Sequence, residues 1–212
     1  MKLIPSFLQR RSFLATFGGA TALAATGSVE LEAQRTSVSG WQAAREGKDD
    51  WLDLIPGKHR MMFDSTTPDA FGAALMFANN FYFANKDGYG LADDEIAVVI
   101  VARHDATPFA FNDSIWKKCG ATISRLSNLK DPRTSNTYMG SINSLFSRGA
   151  HFTVCQMATR ELAGSIATDA GGDQEAIFKE ISVNLVPNSH LVPAGIVAVN
   201  RAQERGYAFV NA

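Results

Sequence analysis

Ile96-Ala97-Val98-Val99-Ile100-Val101 is an unbroken run of β-branched residues and alanine. A strand with one wet face alternates apolar and polar side chains. A run without alternation suits a strand covered on both faces, as in a parallel sheet with helices on either side. Upstream, Arg60-Met61-Met62-Phe63 is a short apolar run ended by Asp64-Ser65-Thr66 and predicts another strand. Thr67-Pro68 reads as a helix N-cap with proline at the first helical position. Phe71, Ala74, Leu75, Ala78, Phe81 and Tyr82 then recur at helical spacing up to Gly88.

Downstream the alternation continues. Tyr138 to Phe146 reads as a helix ended by Gly149, and His151 to Val154 as a strand. Ala158, Leu162, Ser165 and Ile166 mark a helix directly after Cys155, and Gln174 to Leu185 marks another. Leu191-Val192 is a very short strand. Pro193 opens a helix carrying Ile196, Val197 and Val199, and Tyr207 to Val210 is the last strand. Five strands separated by helices predict one α/β domain over residues 58–212, a three-layer α/β/α sandwich on a mostly parallel five-stranded sheet.

Composition narrows the function classes. The 212 residues carry 20 basic and 21 acidic side chains, a net charge of −1, with 46% apolar and 19% charged residues. That is globular composition with no basic block, which argues against a nucleic-acid binder. Two cysteines cannot make a disulfide framework. No apolar run outside the N-terminus reaches membrane-spanning length, so no membrane partner is expected after signal removal.

The N-terminus reads as an address. Arg10-Arg11-Ser12-Phe13-Leu14 precedes a mildly apolar, acid-free stretch to Val29. This is the layout of a twin-arginine export signal, expected over residues 1–33. Ala22-Leu23-Ala24 and Leu31-Glu32-Ala33 bracket the cut. The expected location is the periplasm. Residues 34–57 read as an N-terminal extension anchored by Trp41 and Trp51.

In open parallel sheets, ligands bind at the carboxyl ends of the strands. His104, Asp105 and Cys155 fall there, whereas His59 and His151 precede their strands. A His59/His151/Cys155 metal site would span the sheet. His104, Asp105 and Cys155 lack a recognised ligand spacing, so neither metal nor cofactor is expected. Cys155 lies between a strand and a helix, where the helix N-terminus favours the thiolate. Arg160 is about one and a half turns further along and helps only if it folds back. The competing reading of Cys155 is a buried, inert small hydrophobe. Cys119, in a segment without clear regularity, is either a resolving partner or, preferably, a packed thiol. His104 is a candidate for proton transfer, or else a hydrogen-bonded strand-end histidine. Phe109, Phe111 and Trp116 either wall a pocket beside it, bury an oligomer contact or cover the sheet edge. Phe77, Phe81, Tyr82 and Phe83 cover more than one helix face, so some are expected to meet a neighbouring subunit.

Val154-Cys155-Gln156-Met157-Ala158 resembles the cysteine-bearing turn of the DsrE/DsrF-like family. Leu191-Val192-Pro193-Ala194-Gly195-Ile196, followed by Ala202-Gln203-Glu204-Arg205-Gly206-Tyr207, is similar to that family's ending. The likeness runs from about Lys58 to Val210. It implies a three-layer α/β fold, homo- or hetero-oligomers, and in the sulfur carriers a persulfide on the cysteine matching Cys155. Two departures stand out. Many members follow the second strand with His-Gly, whereas here His104 precedes Asp105. The known sulfur-relay members are cytoplasmic, and an exported protein cannot serve cytoplasmic tRNA thiolation. The expectation is an exported sulfur carrier or sulfurtransferase, a homo-oligomer that meets a sulfur donor or acceptor protein. The alternative is a small-ligand-binding or assembly module with a structural Cys155.

Overall fold

The computed structural model describes residues 42–212; the expected export signal and Trp41 lie outside the described residues. Five strands form one sheet: β1 (His59–Ser65), β2 (Ile96–Ala102), β3 (His151–Cys155), β4 (Ser189–Val192) and β5 (Ala208–Asn211). Their order is β4-β3-β2-β1-β5 and every pairing is parallel. The helices are α1 (Trp51–Leu54), α2 (Pro68–Tyr89), α3 (Asp113–Leu126), α4 (Met139–Phe146), α5 (Gln156–Ala170), α6 (Gln174–Ser182) and α7 (Gly195–Gln203). The architecture is the three-layer α/β/α sandwich.

β2 is the centre, and all seven of its residues are buried. Ile96, Val98, Ile100 and Ala102 enter the larger core, beneath α2 to α6. Ala97, Val99 and Val101 enter a smaller core on the opposite face, beneath α1 and α7. The uninterrupted apolar run is therefore two interleaved faces, each serving its own layer.

Several boundaries differ from the sequence reading. The segment without apparent regularity around Cys119 is α3, with the Asn112 side chain accepting from the Ser114 N–H at its start. Ile115, Trp116, Gly120 and Ile123 are its buried stripe, and glycine within that stripe weakens the pattern. α2 runs on through Gly88 to Tyr89. Gly90, at φ 70°, ends it in the left-handed conformation that glycine adopts without strain. Pro193 precedes α7 instead of opening it.

Residues 47–55 are built into the second layer. Leu52 and Ile55 are buried in the smaller core. Arg60 donates to the carbonyls of Leu52 and Ile55, and the Tyr207 hydroxyl donates to Leu52 O at 2.8 Å. Arg205, 5% exposed, reaches Asp50 at 3.4 Å and Asp53 at 3.2 Å.

Candidate functional site

The chain crosses between layers once at the carboxyl edge. β3 leads into α5 on the larger-core face. β4 leads through Pro193-Ala194 into α7 on the smaller-core face. The two departing chains part above the β3–β4 boundary. Such a switch point leaves a crevice outside the strand ends, the usual ligand position in open parallel sheets. Cys155 is the last residue of β3 and lies at this point, paired in register with Val192.

A cleft of about 410 Å³ opens there, lined among others by Arg103, His104, Cys155, Glu161, Gly195 and Ile196. Cys155 is 7% exposed and serves as the N-cap residue of α5, with no side-chain capping bond. Its carbonyl accepts from the Thr159 hydroxyl at 2.8 Å. α7, whose N-cap is Ala194, also lacks a side-chain cap. Two helix N-termini, each with partial positive charge and free N–H groups, thus open on the cleft that Cys155 lines.

Arg103 is the cation at the cleft, and the sequence reading did not single it out. Its Nε donates to both oxygens of Asp64, at 2.9 and 3.1 Å, and its Nη2 donates to Oδ2 at 2.7 Å. Asp64 is 1% exposed. The hydrogen bond to Asp64 is the main reason the guanidinium is held above its ordinary pKa, and the nearby Cys155 adds to it. The signal lay in plain view: Asp64 is a charge within an apolar strand, and Arg103 follows the strand beside it. Gly195 belongs to the same arrangement. A Cβ there would lie 2.5 Å from the Arg103 Cβ.

His104 is exposed and lines the cleft, in the left-handed backbone region at φ 51°. That conformation is uncommon outside glycine, though histidine is among the residues that adopt it more readily, and the 3-10 turn that follows β2 begins here. Asp105 is also exposed. With His104, Thr107 and Ser165 it lines a neighbouring cavity of about 220 Å³, away from Cys155.

Other candidates fall elsewhere. Arg160 does not fold back to Cys155. It pairs with Glu175 at 2.6 Å and lies over the Phe178 ring at 3.8 Å, because α6 packs along that side of α5. Phe109, Phe111 and Trp116 do not wall the cleft. They are at most 1% exposed in the larger core, where Trp116 Nε1 donates to Pro108 O. The 3-10 turn and α3 after it bring these rings into the larger core. Cys119 lines a separate groove with Ile115, Ile166, Ile177 and Ile181, and burial pushes its thiol pKa up. Both cysteines are free.

His59 and His151 lie at the amino ends of β1 and β3. His151 Nδ1 and His190 Nε2 are 2.9 Å apart and share a hydrogen bond. The Trp51 ring stacks on His190 at 3.6 Å. The pairing of Thr153 with His190 in the β3–β4 register brings the histidines together, a relation invisible in linear spacing. Among the described residues, no group of three or more His, Cys, Asp and Glu could hold a metal ion. No described helix is long and apolar enough to cross a membrane.

No family model and no curated protein matches the chain. A solved structure of a protein of unknown function from Methanobacterium thermoautotrophicum matches with 17% sequence identity and a TM-score of 0.45. The match covers 73% of this chain and 100% of that one.

Proposed function

We propose that the protein is an exported sulfur carrier or sulfurtransferase of DsrE/DsrF type, acting through a persulfide on Cys155. The observation that carries this reading is the position of Cys155 at the switch-point cleft, beside Arg103 and where two uncapped helix N-termini open. The reaction the reading calls for begins with Cys155 as a thiolate nucleophile. It attacks the outer sulfur of a persulfide donor. A new S–S bond forms on Cys155, the donor's S–S bond breaks, and the donor thiolate leaves with the electron pair. An acceptor thiolate then attacks the terminal sulfur, and Cys155 leaves as the thiolate. The cycle is redox-neutral and requires no cofactor. His104, exposed at the rim, is the candidate to give and take the thiol proton.

The test is intact mass after exposure to a polysulfide donor. Native protein should gain one sulfur atom that reductant removes, and Cys155→Ser should gain none. Cys119→Ser should load normally. A Cys155 that never gains sulfur refutes the carrier reading. The rival, a small-ligand-binding or assembly module with a structural Cys155, draws on the low exposure of that residue and on the second cavity at His104 and Asp105.

The proposed carrier works as a homo-oligomer, with a donor or acceptor protein as its further partner. On α2, Met76, Phe77 and Phe83 are 54%, 37% and 65% exposed, and Phe209 on edge strand β5 is 40% exposed. Where such side chains adjoin in one patch they mark a contact surface, and three of the four share α2. Light scattering at micromolar concentration should return more than a monomer mass, and a clean monomer would remove this part of the proposal.

A further inference from the structure

We infer that the cleft beside Cys155 selects an anionic small molecule, whose carboxylate or other oxyanion group is held by Arg103. The inference deepens the carrier reading: that the anion is a sulfur donor rests on that reading, while anion selection is measured separately. Arg103 is a fixed group. Its Nε and Nη2 are spent on Asp64, a carboxylate almost wholly removed from water. A buried carboxylate is costly without a partner, so the fork is held in one orientation. Nη1 makes no hydrogen bond to a described residue, and with the side chain 20% exposed its donors are met by water that a ligand oxygen can replace. The arginine stem packs where a side chain at Gly195 would stand, which keeps this group at the mouth of α7.

The charges around the cleft are sorted. Arg103 stands at the end of β2, and the exposed Glu161 lies on the α5 wall. Asp64 cancels the net charge of Arg103 but leaves the free Nη1 donors available. An anionic group is therefore favoured near Arg103 and disfavoured near Glu161. The volume of about 410 Å³ suits a small organic acid.

Paired alkylation tests this. Iodoacetate and iodoacetamide transfer similar groups: in both, the thiolate sulfur displaces iodide and forms a thioether. Only iodoacetate carries a carboxylate. Rates are measured separately at Cys155 and Cys119 by peptide mass spectrometry, on the full mature chain at low ionic strength. The iodoacetate-to-iodoacetamide rate ratio at Cys155 should exceed that at Cys119 by about tenfold, the scale of one charge-assisted hydrogen bond from the free Nη1. Glu161→Gln should raise the ratio and Arg103→Lys should retain part of it. Arg103→Gln strands the Asp64 charge, so the folded double variant Asp64→Asn/Arg103→Gln is the decisive one, and its preference should vanish. Equal ratios at the two cysteines in the native protein overturn the inference. So does an undiminished preference in the double variant, or a Cys155 that neither reagent reaches. If anion preference stands but sulfur loading fails, the carrier reading falls and the anion site remains. Loading without preference does the reverse.

Discussion

A methyl group at position 195 would meet the Arg103 side chain at its rigid base, since the built Cβ lies 2.5 Å from the Arg103 Cβ. The clash cannot be relieved by swinging the tip of the arginine, which Asp64 holds. Either α7 or the end of β2 must shift. Gly195→Ala should therefore cost about 1–3 kcal/mol, the range for overpacking a filled site. The urea midpoint measures it, and an unchanged midpoint would show that the junction yields freely. Phe109, Phe111 and Trp116 carry the opposite lesson. Their closeness to His104 in sequence suggests a pocket wall, yet the 3-10 turn and α3 after it carry all three into the larger core. Sequence distance says which residues are near, not which way a turn directs them.

Among the elements, α1 shows how a short helix evades pattern reading. Four residues are little more than one turn, too few to display a period of 3.6. Its seat includes Trp51 on the bonded pair His151 and His190. Burial lowers the pKa of both histidines, and the neighbouring His151 lowers that of His190 further, to about 4. A histidine whose folded pKa lies below its unfolded value binds protons more readily when unfolded. Its contribution is complete above about pH 6.5, the unperturbed value, and is lost as pH falls toward 4. Stability from urea melts should accordingly decline between pH 7 and 5. His190→Phe keeps a ring against Trp51 and removes one titrating group, so its decline should be shallower. Identical slopes in the two proteins would exclude His190 as a cause.

For the whole molecule, one crossing decides where chemistry is placed. α7 carries the chain from edge strand β4 across the sheet's second face to β5 at the far edge. Because α5 and α7 leave on opposite faces, a crevice forms beside Cys155, with the end of β2 as its neighbouring wall. Proposed export concerns the whole chain as well. Replacing Arg10 and Arg11 with lysine should leave the precursor in the cytoplasm, seen by fractionation and intact mass. Twin-arginine export carries folded proteins, so the variant precursor should accumulate folded. Undiminished export of the double variant would refute the assignment.

The apolar run at Ile96 and the strand-helix alternation around it determined the fold class, because local periodicity records which faces each element must bury. The strand-to-helix junction after β3 was equally local, so Cys155 could be assigned to the carboxyl edge from sequence. His104 and Asp105 were assigned there by the same reasoning. The strand order, the switch point and the contact of Arg103 with Asp64 and Gly195 join residues 39 and 92 positions apart. No local pattern encodes such pairings. They arise when helices of particular lengths return strands to particular neighbours and a buried carboxylate must find a cation. For the same reason His190 entered view only when strand register set it beside His151, and Arg160 left the site only when α6 packed against α5.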